Sequence, residues 1–224
     1  MKFLKKTAAA WIIAALFLCV MMPVRAESDD QVVVMIDPGH GGYDGGTVAA
    51  DSETLEKDLT LMYAKKIGAQ IEKLDSSIEV LYTRNSDKVS WARDDEDADL
   101  KRRVIIAKKR HAGYFLSIHM NSSEDTSMEG YAAFVRPKDK ASKKIYKIIA
   151  KNLKKAGYEA DNGLTTTDQY PLYVVSKQKI PAMLFEVGYI SNSTELKQLK
   201  KKKVVKAYAK AIAAAYVQYI HQNN

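Results

Sequence analysis

A chain of 224 residues in which 46% are hydrophobic and only 5 are proline has the apolar content for one sizeable core, which excludes a low-complexity or disordered polymer. Its 35 basic and 27 acidic residues give a formal charge of +8, a modest excess for which no nucleic-acid partner is expected. With 1 cysteine, the fold cannot rest on disulfides within the chain.

The N-terminal stretch sets Lys2, Lys5 and Lys6 ahead of an apolar run from Ala8 to Met22 and closes on Val24, Arg25 and Ala26. That is the pattern of a secretory signal peptide, and the run is shorter than the roughly 20 residues a membrane span needs. We expect a signal peptide at 1–26, cleavage after Ala26, and a single exported domain at 27–224 in the periplasm, the cell wall or the medium, with no stable membrane anchor. The lone Cys19 falls in the leader, behind Phe17 and Leu18, which are too bulky for lipoprotein-type processing. Removing four basic residues (Lys2, Lys5, Lys6, Arg25) lowers the formal charge from +8 to about +4. An exported chain without cysteine must hold any metal through nitrogen and oxygen donors.

Short apolar runs suited to buried strands follow at VVVMI (32–36), SIEVLYT (77–83), YFLSI (114–118), YAAFV (131–135), LYVV (172–175) and AMLFEV (182–187). Helical spacing lies between them: Leu59, Tyr63, Ile67, Ile71 and Leu74; Val104 and Ala107; Ile145, Ile148 and Leu153; and a last helix through Val205, Tyr208, Ile212, Ala215 and Tyr219. Alternation of this kind predicts an α/β domain with a twisted, mainly parallel sheet covered by helices on both faces. KRR (101–103), KKR (108–110) and KKKK (200–203) would suit an anionic polymer, although solvated helix faces explain them more simply. RDDEDAD (93–99) lacks the glycine and the terminal glutamate of a calcium loop and reads as a polar loop capping the next helix.

In such a sheet the ligand crevice lies beyond the carboxyl ends of the strands, and three strand ends carry unusual chemistry. The first gives Asp37, Pro38, Gly39 and His40; the third gives His119, Met120 and Asn121; the last carries Glu186. The glycine-rich stretch VVVMIDPGHGGYDGG (32–46) has no lysine for a phosphate loop and leads into a loop rather than a helix, so neither phosphate reading holds. A plain turn would leave His40 unexplained. Two histidines at strand ends suit a zinc site with three protein ligands and an open position; the third ligand would be Glu56, at the start of the following helix, or Glu53. His111 and His221 fit structural or solvent-facing roles.

Taken in order, IDPGHGG with Asp44 shortly after, LEKDLTL, LYTRNSD, LKRRVIIA, FLSIHMNS and IPAMLFEVGYISN resemble the successive blocks of the zinc-dependent N-acetylmuramoyl-L-alanine amidases of type 3, over about residues 32 to 218. The resemblance implies a six-stranded sheet, one Zn2+ held by His40, Glu56 and His119, and Glu186 as the catalytic glutamate. It implies as substrate the peptidoglycan amide between the lactyl group of muramic acid and L-alanine. Asp37 and Asn121 would orient the ligands or hold substrate, and Arg84 and Arg103 match family positions that serve substrate binding or structural ion pairing. Two features depart from the family: Lys108 follows Ala107 where asparagine is usual, and the acidic stretch precedes that helix. The interval from Tyr131 to Ile180 is too short for the blocking helix of inactive family members, so an unblocked site is expected, most simply in a monomer. A zinc peptidase cutting within the stem peptide and a non-catalytic wall-binding module are the rival readings.

Overall fold

The computed structural model describes residues 31–89 and 95–223. The leader and the first residues of the acidic stretch lie outside the described residues.

Six strands, β1 (Val33–Pro38), β2 (Glu79–Tyr82), β3 (Tyr114–Asn121), β4 (Tyr131–Val135), β5 (Asp161–Thr166) and β6 (Ala182–Tyr189), form one sheet in the order β2-β1-β3-β6-β4-β5. The first four in that order run parallel, β4 pairs antiparallel to β6, and β5 runs parallel to β4. Alternate residues serve two cores, as the pleat requires: Val34 and Ile36 of β1 join one cluster, Val33 and Met35 the other. The larger core takes α1 (Glu56–Leu74), α3 (Lys140–Lys155) and α6 (Lys202–Asn223); the smaller takes Ala107 of α2 (Glu96–Lys109) and Val174 and Val175 of α4 (Tyr173–Ser176). A short α5 (Ser193–Leu199) follows β6.

The expected stripe on α1 is buried at Leu59, Tyr63, Ile67 and Ile71, and only its last member, Leu74, faces solvent. Each of the two isoleucines contributes about 1.5–3 kcal/mol by leaving water. All five residues expected to seat α6 are buried, and Tyr63 donates to the carbonyl of Leu199 at 2.8 Å, fixing α1 to the end of α5. On α2 the buried stripe is Asp99, Arg103 and Ala107, so an ion pair occupies what apolar spacing would have filled. The acidic stretch caps α2 as expected, with the Asp95 carboxylate accepting from the amide of Ala98.

One strand assignment is corrected. LYVV (172–175) forms the short helix α4 rather than a strand, because only Val174 and Val175 are buried and they turn together onto the smaller core. The sixth strand is instead β5, DNGLTT, at the sheet edge beside β4, where no residue is fully buried. An edge strand with one neighbour needs no apolar run, which is why composition did not reveal it.

Candidate metal centre

The carboxyl ends of β1, β3 and β6 lie side by side, and the first of them bends sharply. His40 adopts φ 60°, Gly41 φ 129° and Gly42 φ 60°; a left-handed histidine is strained and persists only where its surroundings hold it. Two arginines do so. Arg84 donates to the carbonyls of Pro38 at 3.0 Å and Gly39 at 2.8 Å, while Arg103 donates to those of Pro38 at 2.9 Å and His40 at 2.8 Å. Both guanidinium groups thus brace the turn through its carbonyls, and Arg103 in addition donates to the carboxylates of Asp37 and Asp99.

Asp37 supports the same turn. Its buried carboxylate accepts from Thr83 (2.5 Å), Arg103 (2.8 Å) and Ser117 (2.7 Å). Burial raises its pKa, but the Arg103 charge and these donors outweigh that and hold it below the usual carboxylate range. Asp37 thus acts on the His40 turn through Arg103, which donates both to its carboxylate and to the His40 carbonyl. Asn121 closes β3, and its Oδ1 accepts from the amide of Ser122.

The group that does orient an imidazole is Asp44, to which the sequence assigned no role. Its Oδ2 lies 2.7 Å from Nδ1 of His40, and its Oδ1 accepts from the amide of Gly46 at 2.9 Å. A carboxylate only accepts, so Nδ1 carries the proton and Nε2 is turned toward the crevice. The available signal was a carboxylate four residues after His40 in the same turn, closed on itself by paired backbone bonds between Gly41 and Asp44.

Glu56 begins α1, where Leu55 offers no side-chain cap. The glycine loop takes up that job: the amide of Glu56 donates to Thr47 and that of Lys57 to Gly45. In return the Glu56 carboxylate is gripped at both oxygens, Oε2 accepting from the amide of Thr47 and Oε1 from that of Met120, each at 3.0 Å. Two glycines make room. A Cβ on Gly39 would lie 2.2 Å from the His119 ring, and one on Gly46, which has φ +65°, would lie 2.8 Å from Glu56 Oε2. Glu53, the competing candidate, is exposed in the turn built on Asp51.

Glu56 Oε1 stands 3.1 Å from both Nε2 of His40 and Nδ1 of His119. The two rings meet edge to face at 4.8 Å. One donor atom from each of the three residues falls within 4.8 Å of the others: two imidazole nitrogens and one carboxylate oxygen, the donor chemistry of catalytic zinc. The charge balance fits a cation as well. His40 is pushed up to about 10, against the effect of its burial, by Asp44 on one side and Glu56 on the other, so both carboxylates favour positive charge at this position. The same imidazoles hold Glu56 well below the usual range despite its burial.

Glu186 pairs directly with His119 across β3 and β6. Its Oε2 is buried and has no hydrogen-bond partner among the described residues. Burial pushes its carboxyl up to about 7, with Glu56 adding to the rise and the two imidazoles opposing it. Ser117 is no candidate nucleophile, because its hydroxyl is committed to Asp37. His111 lies in the turn after α2 at φ 51°, and His221 pairs with Asp75 at 2.6 Å far from this cluster in the sequence.

A family model described as N-acetylmuramoyl-L-alanine amidase matches residues 34–218. The germination-specific N-acetylmuramoyl-L-alanine amidase of Bacillus subtilis is 28% identical over 195 residues, covering 84% of this chain and 79% of the relative. The catalytic domain of CwlV, an N-acetylmuramoyl-L-alanine amidase from Bacillus (Paenibacillus) polymyxa, superposes with a TM-score of 0.73 at 31% identity, covering 85% of this chain and 98% of that one. The CwlD amidase from Clostridioides difficile, solved in complex with the GerS lipoprotein, superposes with a TM-score of 0.77 at 29% identity, covering 86% and 100%.

Proposed function

The chain belongs to the N-acetylmuramoyl-L-alanine amidase family, and from that premise we propose that it is an exported peptidoglycan hydrolase. It cuts the amide between the lactyl group of N-acetylmuramic acid and the L-alanine of the stem peptide. One zinc ion is held by His40, Glu56 and His119, and Glu186 carries the proton. The observation that supports this reading is the convergence of those three donor atoms beside a buried carboxylate oxygen with no partner of its own among the described residues.

Zinc at such a donor set supplies Lewis-acid polarisation of a carbonyl oxygen and lowers the pKa of water from 15.7 towards about 7. The chain's own residues do the rest. Asp44 fixes the His40 ring, the amides of Thr47 and Met120 fix Glu56, and Gly39 leaves the space that His119 fills. Glu186 Oε2, uncommitted to any other donor, accepts a proton from the attacking water as the water oxygen bonds to the carbonyl carbon. It then returns that proton to the alanine nitrogen as the C–N bond breaks, and the water's second proton passes from the new carboxylic acid to the released amine, so that the peptide leaves as an ammonium and the lactyl group as a carboxylate. A group with a pKa near 7 can both take and give a proton at neutral pH.

Mass spectrometry of digested sacculi tests the reading. New L-alanine amino termini on intact stem peptides, together with peptide-free glycan, are expected. Termini at any other stem residue would mean a peptidase instead, and wall binding without release of fragments would mean a binding module. The interval from Tyr131 to Ile180 is taken up by β4, α3, β5 and α4, so the purified protein is expected to act as a monomer without an added activator; activity seen only with a protein partner would contradict this.

A further inference from the structure

Helices α1 and α6 lie parallel on the outer face of the larger core. Lys200, just before α6, bonds to Asp51 and Thr54 at the approach to α1, while His221 near the end of α6 meets Asp75 at the end of α1. Between them runs a groove of about 460 Å³ whose floor includes Met62, Val205 and Ala209 and whose walls carry Lys66 from α1 and Lys202 and Lys206 from α6. Lys57, Lys101 and Lys200 are all engaged by carboxylates. Lys66, Lys202 and Lys206 have no ion pair among the described residues, so three ammonium groups face one cleft without a counter-charge.

We propose that this groove binds a linear phosphodiester polymer. Its charge is complementary: Lys202 and Lys206 stand one helical turn apart on the α6 wall and Lys66 lies on the α1 wall, so a threaded chain of phosphates meets cations from both sides. Ammonium groups act as point charges that suit phosphate without demanding a fixed planar geometry. The apolar floor accepts the carbon backbone between phosphates. The concavity selects the occupant, because a thread can enter a cleft between two helices whereas the planar headgroup layer of a bilayer would rest on its rims. Since α1 begins at Glu56 and reaches Lys66 ten residues later, a chain in the groove passes about 15 Å along the helix from the metal cluster. The groove would thus moor the enzyme on an anionic wall polymer with the crevice still open.

Binding in the groove does not depend on the hydrolytic reading and is tested without turnover. Fluorescein-labelled poly(glycerol phosphate) is titrated with the purified protein between about 50 and 200 mM salt. Binding should weaken as salt rises. The triple variant Lys66→Glu, Lys202→Glu, Lys206→Glu should lose about tenfold or more in affinity and show a shallower salt slope, by about 0.7 for each phosphate that is no longer neutralised. A charge-matched control, Lys138→Glu, Lys151→Glu, Lys179→Glu, alters exposed lysines elsewhere and should change affinity by less than about threefold. The milder Lys66→Gln, Lys202→Gln, Lys206→Gln variant should show a partial loss with an unchanged circular-dichroism melting curve, which separates binding from folding. Equal losses in the two triple variants, no binding by the wild type, or preference for polyglutamate or phosphatidylglycerol vesicles over the phosphodiester polymer would each overturn the proposal. Cleavage of a short, polymer-free muropeptide should be the same in wild type and groove variant; its absence from both would tell against the hydrolytic reading alone.

Discussion

At the scale of single residues, two carboxylates separate by role. Asp44 is half-exposed and hydrogen-bonded to His40, so its effect passes through the imidazole: Asp44→Ala should weaken zinc affinity about 10–100-fold, measured by competition with a chromogenic chelator. An unchanged affinity would mean that the ring is held by the strained turn alone. Glu186 has no hydrogen bond to lose at Oε2 among the described residues, so Glu186→Gln should retain stoichiometric zinc while kcat falls about 10²–10⁴-fold. His40→Ala should lose metal and turnover together. Loss of zinc from Glu186→Gln would show that its carboxylate is a ligand rather than a proton carrier. The two histidines that meet Glu56 were legible in the sequence because histidines are scarce and two of the four stand at strand ends, whereas spacing alone left Glu56 and Glu53 open. Asp37, Arg84 and Arg103 were harder to read, since a charged residue next to a site looks the same whether it grips substrate or backbone. Only the direction of its hydrogen bonds decides.

At the scale of the element, the β1 turn is held in a costly shape by a buried ion pair that joins β1 to α2. Asp37 and Arg103 are both almost fully inaccessible, and Arg103 also bonds to Asp99 and two turn carbonyls. Arg103→Met removes one partner and leaves the buried Asp37 carboxylate with hydroxyl donors but no counter-charge, so stability should fall by about 3–5 kcal/mol in urea titration. A change under about 1 kcal/mol would show that the pair merely offsets its own desolvation. The pH dependence follows from the depressed pKa of Asp37. The unfolded carboxyl titrates near about 4, so the stabilisation is complete above that value and is lost as pH falls through the lower folded value. The urea midpoint should therefore drop steeply below about pH 4, and Asp37→Asn should start lower at neutral pH and decline less. The same pair explains a limit of the sequence reading. Asp99 and Arg103 occupy the buried stripe of α2, so apolar spacing there was thin, just as β5 was hidden by its polar edge position and α4 resembled a strand because two valines suit either structure. Elements with a continuous apolar face, such as α1, α6, β1, β3 and β6, carried their own signal.

At the scale of the whole molecule, the three donors come from a turn after β1, the first residue of α1 and the end of β3, so one ion would join segments that are up to 79 positions apart between His40 and His119. This arrangement of donors does not survive in an unfolded chain, and a metal bound only by the native state stabilises it by mass action. At free zinc about 100 times Kd the gain is about 2.7 kcal/mol. For a domain of this size each kcal/mol moves Tm by about 2–4 °C, so melting should rise by about 5–10 °C on loading and fall back on chelation. His119→Ala removes a donor from the β3 end, and its Tm should be indifferent to zinc over the same range. Glu186→Gln leaves the donor set intact, and its Tm should follow the wild type. A zinc-dependent Tm that persisted in His119→Ala would place the metal elsewhere. A Tm that ignored zinc in the wild type, while activity still required it, would mean that the native donors are too loosely held to bind before substrate arrives. The grip of two backbone amides on Glu56 and of Asp44 on His40 argues for the preformed site.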